Sequence, residues 1–264
     1  MGKLLKIAIM FAIPLAMWFI TPPEGLSVEA WRLLGFYLMA IVGLVVKPWP
    51  APIILLLSIA GSAIFLNATK NVLSGYASTT VWLVFSAFSL SVAFVKTGLG
   101  RRIAYLLIKS LGHTTLRLGY VTALLDLIIS PVTPSNTARC GGIVFPIMNS
   151  VAKALGSEPG ESAKKAGSYH MVNTYMVTKV TSLMFATAMA PNLLAADYMN
   201  KILGVDINWG LWALALVVPG LVMLLITPAL VYYLDKPSIQ HIDSHGIADE
   251  GLKELGPMSG REKS

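Results

Sequence analysis

The sequence predicts an all-α polytopic membrane protein with about six transmembrane helices plus one re-entrant helical hairpin. Three observations carry that prediction. Hydrophobic residues make up 55% of the chain and charged residues only 12%, where a soluble domain carries about 25% charged. Mean hydropathy is +0.70, and long apolar runs recur too often for a single soluble core. Finally, a polar, twice-prolined stretch, Ser130–Pro131–Val132–Thr133–Pro134–Ser135–Asn136–Thr137–Ala138–Arg139, interrupts two apolar helical runs.

The first apolar run, Ile7–Ile20, follows Lys3 and Lys6. The turn-like Thr21–Pro22–Pro23–Glu24 after it contains no small-residue cleavage site, so it reads as a retained span rather than a signal peptide. Further spans are expected over Ala30–Val46, Pro52–Leu66 and Thr80–Val95. Gly100–Lys109 is short, amphipathic and basic, which suits the membrane interface. Two arms follow, Leu116–Ser130 and Ser135–Leu155, and they form the hairpin with the polar break at its tip. After a hydrophilic loop, Gly156–Gly167, comes Tyr169–Lys201, interrupted near Thr187–Asn192, and then a last span, Trp209–Leu234. From Asp235 to Ser264 the chain is polar and reads as a cytoplasmic linker.

The organisation expected is a scaffold-type region over 1–112 with interfacial helix 100–112. A transport-type region follows over 113–234, with hairpin 116–155 and broken helix 169–201. The linker occupies 235–264. Charge supports the orientation. With the N-terminus in the cytoplasm, fifteen basic residues from Lys3 to Lys263 fall inside, and only Arg32, Lys70 and Lys201 fall outside. The same parity holds if both hairpin arms cross fully, so the argument for a hairpin rests on the break. Serine, threonine, asparagine and two prolines make a poor external loop and a good tip at membrane depth. The net charge of +7 reflects these loops and calls for no nucleic acid.

The chemistry of the tip points to an anion. Pro131 and Pro134 lack backbone donors and disfavour helix at the residue before each, so they stop the first arm. Ser135 can cap the second arm, whose free N–H groups and dipole favour a carboxylate. Asn136 offers donor and acceptor, and Thr133 and Thr137 offer hydroxyls. Three ionisable groups lie inside apolar runs: Asp126, Arg139 and Lys179. Such groups are functional or paired. Arg139 and Lys179 are candidates for substrate contact; the alternative is a structural pair of Asp126 with either one. The second break, Thr187–Ala188–Met189–Ala190–Pro191–Asn192, repeats the logic of the first. Candidate ligand residues are therefore Thr133, Ser135, Asn136, Thr137, Arg139, Lys179, Thr187, Pro191 and Asn192.

Other chemistries find little support. The lone Cys140 excludes an internal disulfide and a cysteine zinc site and reads as a packing residue. His241 and His245 have helical spacing but no metalloprotease pattern around them. No phosphate loop and no nucleophile–base pair is present, so no catalytic residue and no cofactor is expected.

The Pro134–Ser135–Asn136–Thr137 tip, the basic amphipathic helix before its hairpin and the broken segment ending Ala190–Pro191–Asn192 resemble the divalent anion:sodium symporter family. The nearest subgroup is that of the 2-oxoglutarate/malate translocators and citrate/succinate-type antiporters. The resemblance implies transport of di- or tricarboxylates, with Ser135, Asn136 and Thr137 contacting a substrate carboxylate. It also implies a possible sodium near Ser135, Asn136 and Ala188. Two departures matter. The second break reads Ala188–Met189–Ala190–Pro191–Asn192, and Pro131 stands where sodium-coupled members carry serine. Both favour sodium-independent exchange. Family members also run to roughly twice this length as two inverted repeats, so the chain is expected to be an N-terminal half that works with a complementary half or as a homodimer. The expected setting is the bacterial inner membrane. The competing reading is a membrane scaffold or assembly subunit that transports nothing; an enzyme using Asp126 and Lys179 is a third.

Overall fold

The computed structural model describes residues 2–66 and 69–258. Among these residues the secondary structure is helical, with no strand. The chain divides into two compact units, Met1–Val81 and Trp82–Ser264.

In the first unit, α1 (Lys3–Phe19), α2 (Val28–Val46) and α3 (Ala51–Phe65) pack in sequence, followed by the short α4 (Thr69–Leu73). Each boundary has a local cause. Ser27 caps α2, its hydroxyl accepting from the Ala30 amide at 3.1 Å. The helix ends where Lys47 turns left-handed (φ 52°) ahead of Pro48. Met10, Phe36, Met39 and Ile54 form the core. Gly43 permits the close approach at its centre: a Cβ there would meet Ile54 Cγ2 at 2.5 Å and Met10 Sδ at 2.8 Å. Arg32 lies over the Trp18 ring at 4.0 Å.

The division between units falls within α5 (Thr79–Thr97). Gly98 (φ 81°) then turns the chain into the amphipathic α6 (Leu99–Leu111). Next come α7 (Thr115–Ile129), the irregular tip, α8 (Asn136–Arg139), one wide π turn over Cys140–Val144 and α9 (Phe145–Ala154). The segments either side of the tip share one apolar core: Leu118, Val121, Leu125 and Ile129 of α7 lie with Ile143, Val144, Ile147, Met148 and Val151 of the π turn and α9. The expected broken helix is α10 (Gly167–Met184) and α11 (Ala190–Leu203), and the last span is α12 (Trp209–Leu234). α10 packs against α7, α9 and α12.

Three helices among the described residues are long and apolar enough to cross a membrane: Val28–Val46, Thr115–Val132 and Trp209–Leu234. On α12, Leu214, Val218, Leu225 and Tyr233 are all more than 60% exposed. An apolar surface of that kind is stable only against lipid or other protein.

The polar tail holds a feature that its composition conceals. Ser244–Leu255 forms α13, which docks on α6. Its apolar residues Ile247, Ala248, Leu252 and Leu255 recur at helical spacing and join the hairpin core with Ile242. The Arg102 guanidinium donates to the Gly256 carbonyl at 3.0 Å, and Lys109 pairs with Asp249 at 2.7 Å. Residues 259–264 of the expected linker, with Arg261 and Lys263, lie outside the described residues.

Gly251 sets how closely α13 approaches, because a Cβ there would sit 2.3 Å from the Tyr105 ring. Gly251→Val is expected to weaken this docking by about 1–3 kcal/mol through overpacking. Limited trypsin digestion checks it: cleavage after Lys253 should accelerate while the remaining fragments keep their wild-type resistance.

Candidate functional site

The tip forms as its residues dictate. Pro131 lies in a single 3₁₀ turn, Ser130–Val132, which ends the first arm, and Thr133 is extended. Ser135 is the cap of the second arm, its hydroxyl accepting from the Ala138 amide at 3.2 Å. The first-turn amides behind that cap have no carbonyl one turn earlier to bond.

Arg139 and Asp126 form a fully buried ion pair, Nε to Oδ1 at 3.0 Å, with both side chains at 0% exposure. All five guanidinium protons are engaged. Nη1 donates to the carbonyls of Thr133 (3.0 Å) and Ala188 (3.2 Å), and Nη2 to the hydroxyls of Thr181 (3.2 Å) and Ser182 (3.1 Å). The Thr181 hydroxyl in turn donates to the second Asp126 oxygen. Of the pairings left open by the sequence, Asp126 with Arg139 is the one formed. The geometry leaves Arg139 no N–H for a ligand and makes it the link between α7, the tip and the α10–α11 break.

Further bonds join the two breaks. The Thr187 hydroxyl donates to the Pro131 carbonyl at 2.6 Å and accepts from Trp209 Nε1 at 3.0 Å. The Ala190 amide donates to the Pro134 carbonyl at 3.1 Å. Asn192 is buried, and its amide donates to the carbonyls of Ser182 (2.7 Å) and Phe185 (3.0 Å) where α10 unwinds. Thr133 is buried and donates back to Ile129. Thus Thr133, Ser135, Arg139, Thr187 and Asn192 hold the backbone in place. Pro191 is exposed in the first turn of α11.

The remaining candidates come together. Asn136, Thr137 and Lys179 line one cleft of about 260 Å³ with Cys140, Gly141, Phe145, Tyr175 and Thr178. Lys179 is exposed there, its ammonium 4.9 Å from the centre of the Tyr175 ring, and among the described residues it has no carboxylate partner. A cation, a helix start, an amide and a hydroxyl therefore surround a space at the low end of small-molecule pocket sizes. The sequence reading missed Tyr175, Thr178, Cys140 and Phe145 as lining residues. Tyr175 is four residues before Lys179 and three before Thr178, and was findable on that ground. Cys140 follows Asn136 and Thr137 by four and three residues and was findable by the same spacing, whereas Phe145 lies beyond the π turn, which no spacing announces.

The expected sodium position does not fit what is present. The Ala188 carbonyl accepts from the Arg139 guanidinium, and the Ser135 hydroxyl accepts from Ala138. The Asn136 side-chain oxygen accepts from Thr137 at 3.3 Å. Each of the three expected oxygens is thus already engaged by a donor, the Ala188 carbonyl by the guanidinium itself.

A sequence model of the sodium:sulfate symporter transmembrane region matches residues 1–264. The chain is 56% identical to the inner membrane protein YbhI of Escherichia coli K12 over 99% of its own length and 56% of that protein. It is 36% identical to a citrate/succinate antiporter of the same organism, over 99% of the chain and 57% of the relative. It is 37% identical to the chloroplastic dicarboxylate transporter 1 of Spinacia oleracea, over 93% of the chain and 44% of the relative. The chain spans about half the length of the curated relatives it matches.

Removing one member of the buried ion pair leaves the other charge stranded. Asp126→Ala or Arg139→Ala is each expected to destabilise the second unit by about 3–5 kcal/mol. Chemical denaturation of the purified protein in detergent checks this. The double variant should be less destabilised than the sum of the two.

Proposed function

Because the chain belongs to the sodium:sulfate symporter family, we propose that it supplies a di- or tricarboxylate site of a membrane carrier working by sodium-independent exchange. The observation that carries this reading is the cleft where the Lys179 ammonium faces the start of the second hairpin arm at Asn136 and Thr137. One carboxylate sits on the first-turn amides with the Asn136 and Thr137 side chains, where the helix dipole favours negative charge. A second carboxylate pairs with Lys179. The relatives named for dicarboxylate and for citrate/succinate transport support this substrate class. The engaged Ala188 carbonyl supports exchange without sodium.

The finer architecture belongs to the same proposal. About six spans and a re-entrant hairpin cross the bacterial inner membrane with the N-terminus in the cytoplasm. The cleft is completed by a complementary half or a second copy, and an elevator or rocking movement carries it across. Because the ion pair ties the tip to the α10–α11 break, these move as one body. Chemistry on the substrate has no part in this reading; the substrate leaves as it entered.

Equilibrium binding of radiolabelled succinate, malate and citrate to the purified protein tests the site. Asn136→Ala and Lys179→Ala are each expected to weaken binding about tenfold or more, the worth of one lost charge-assisted contact. Wild-type affinity should be the same in sodium and potassium. In proteoliposomes, uptake should require internal dicarboxylate. Undiminished binding in both variants would remove the cleft from the account. Sodium-dependent binding would overturn the sodium-independent reading.

A further inference from the structure

One face of α7 runs from charged to apolar along the helix. Arg117, Tyr120, Leu124 and Ile128 recur at spacings of three and four residues, so they share that face. Arg117 is exposed, and so are Leu124 and Ile128. At 1.5 Å per residue the stripe is about 16 Å long, roughly half of a ~30 Å hydrocarbon core and so the depth of one leaflet. At its charged end lies a pocket of about 350 Å³ lined by Ser110 and Leu111 of α6 and by Arg117, Tyr120, Val121 and Leu124 of α7. The Tyr120 hydroxyl donates to the Leu225 carbonyl of α12 at 2.8 Å, which fixes the tyrosine within the stripe.

Charge and depth together identify what covers this stripe. Arg102 and Lys109 of α6 are engaged, by the Gly256 carbonyl and by Asp249. The Arg117 guanidinium has no partner among the described residues, and no carboxylate lines its pocket. Thr115–Val132 is apolar enough to cross a membrane, and the amphipathic, basic α6 precedes it. The first turn of α7 therefore lies at the level of the lipid headgroups. Tyrosines mark that level: Tyr120 is joined there by Tyr169, whose hydroxyl lies against Gly119, and by Tyr232, whose ring is 5.5 Å from that of Tyr169. A soluble anion would satisfy Arg117 but leave Leu124 and Ile128 bare. A zwitterionic lipid would cover the leucine and isoleucine but bring its own cation toward the guanidinium. An anionic phospholipid meets both ends, since its phosphate matches the planar guanidinium fork.

We propose that the groove of α6 and α7 binds one anionic phospholipid, its phosphate on Arg117 and an acyl chain along Leu124 and Ile128. The lipid joins the interfacial helix to the first hairpin arm at the membrane surface. This site is separate from the cleft and does not depend on the carboxylate reading.

The test is photo-crosslinking of the full chain in phosphatidylcholine nanodiscs that contain a small fraction of phosphatidylglycerol with a diazirine in its acyl chain. Mass spectrometry locates the labelled residues. Labelling is expected on the α6–α7 stripe, and unlabelled phosphatidylglycerol should compete it away while inorganic phosphate should not. Arg117→Gln should lower the labelling about fivefold, the worth of one basic contact with an anionic lipid. Arg117→Lys should keep most of it. Both variants should melt as the wild type does in phosphatidylcholine alone, because the side chain at 117 holds no other residue. Equal labelling by a phosphatidylcholine probe would show a non-selective lipid belt and overturn the proposal. Labelling undiminished in Arg117→Gln, or confined to other helices, would do the same. Competition by inorganic phosphate would make Arg117 a site for a soluble anion and equally overturn it. Succinate binding to the same variants should be unchanged, so failure of the lipid site and failure of the cleft are distinguishable.

Discussion

The buried pair of Arg139 and Asp126 is the constraint on which the rest of the second unit depends. Two charges taken out of water are tolerated only when every remaining donor and lone pair finds a partner. Here the partners come from four places: α7, the hairpin tip, the end of α10 and the turn before α11. Satisfying one guanidinium therefore forces two interrupted helices to meet at their interruptions. Two non-helical stretches, each with carbonyls freed by proline, are stable in a buried setting because each supplies part of what the other lacks. The Thr187–Pro131 and Ala190–Pro134 bonds follow from that apposition.

The cleft is a by-product of the same junction. Arg139 is one turn past the Ser135 cap, so fixing its head group also fixes the start of the second arm. Cys140 lies on the face of Asn136 and Thr137, and Phe145 lines the cleft just after the π turn that follows Arg139. On α10, Thr178 and Lys179 are one turn or less from Thr181 and Ser182, which hold the guanidinium. A cation and a helix start thus face each other across a space whose geometry is set by a second, buried cation. The division of labour is electrostatic: Arg139 is neutralised by Asp126 and does not attract the ligand, whereas Lys179 has no such partner among the described residues.

Much of this was legible in the chain, for local reasons. Proline at 131 and 134 followed by serine, asparagine and threonine encodes a stop and a capped restart, and the structure forms both. The polar run from Asn173 to Ser182 within an apolar helix announced a face that meets protein or water. Which ionisable groups pair was not legible: the sequence leaves Asp126 open to either Arg139 or Lys179, and the burial of Arg139 against Asp126 in the junction decides. Asn192 and Thr187 read as ligand groups because amides and hydroxyls at a break suit either role; their carbonyl partners come from tertiary contact. The π turn was hidden because glycine pairs permit many backbone paths. The docking of α13 was hidden by composition, since a mostly polar segment needs only four or five apolar residues at the right spacing to cover a neighbour.

The most direct test of this account is a cryo-electron microscopy structure of the protein in lipid with saturating succinate. The account predicts ligand density in the cleft, one carboxylate on the Asn136–Thr137 turn and the other within hydrogen-bonding distance of the Lys179 ammonium, with the Arg139–Asp126 pair intact beneath. Density that instead engages Arg139, with Asp126 released, or that lies away from the cleft altogether, would contradict it.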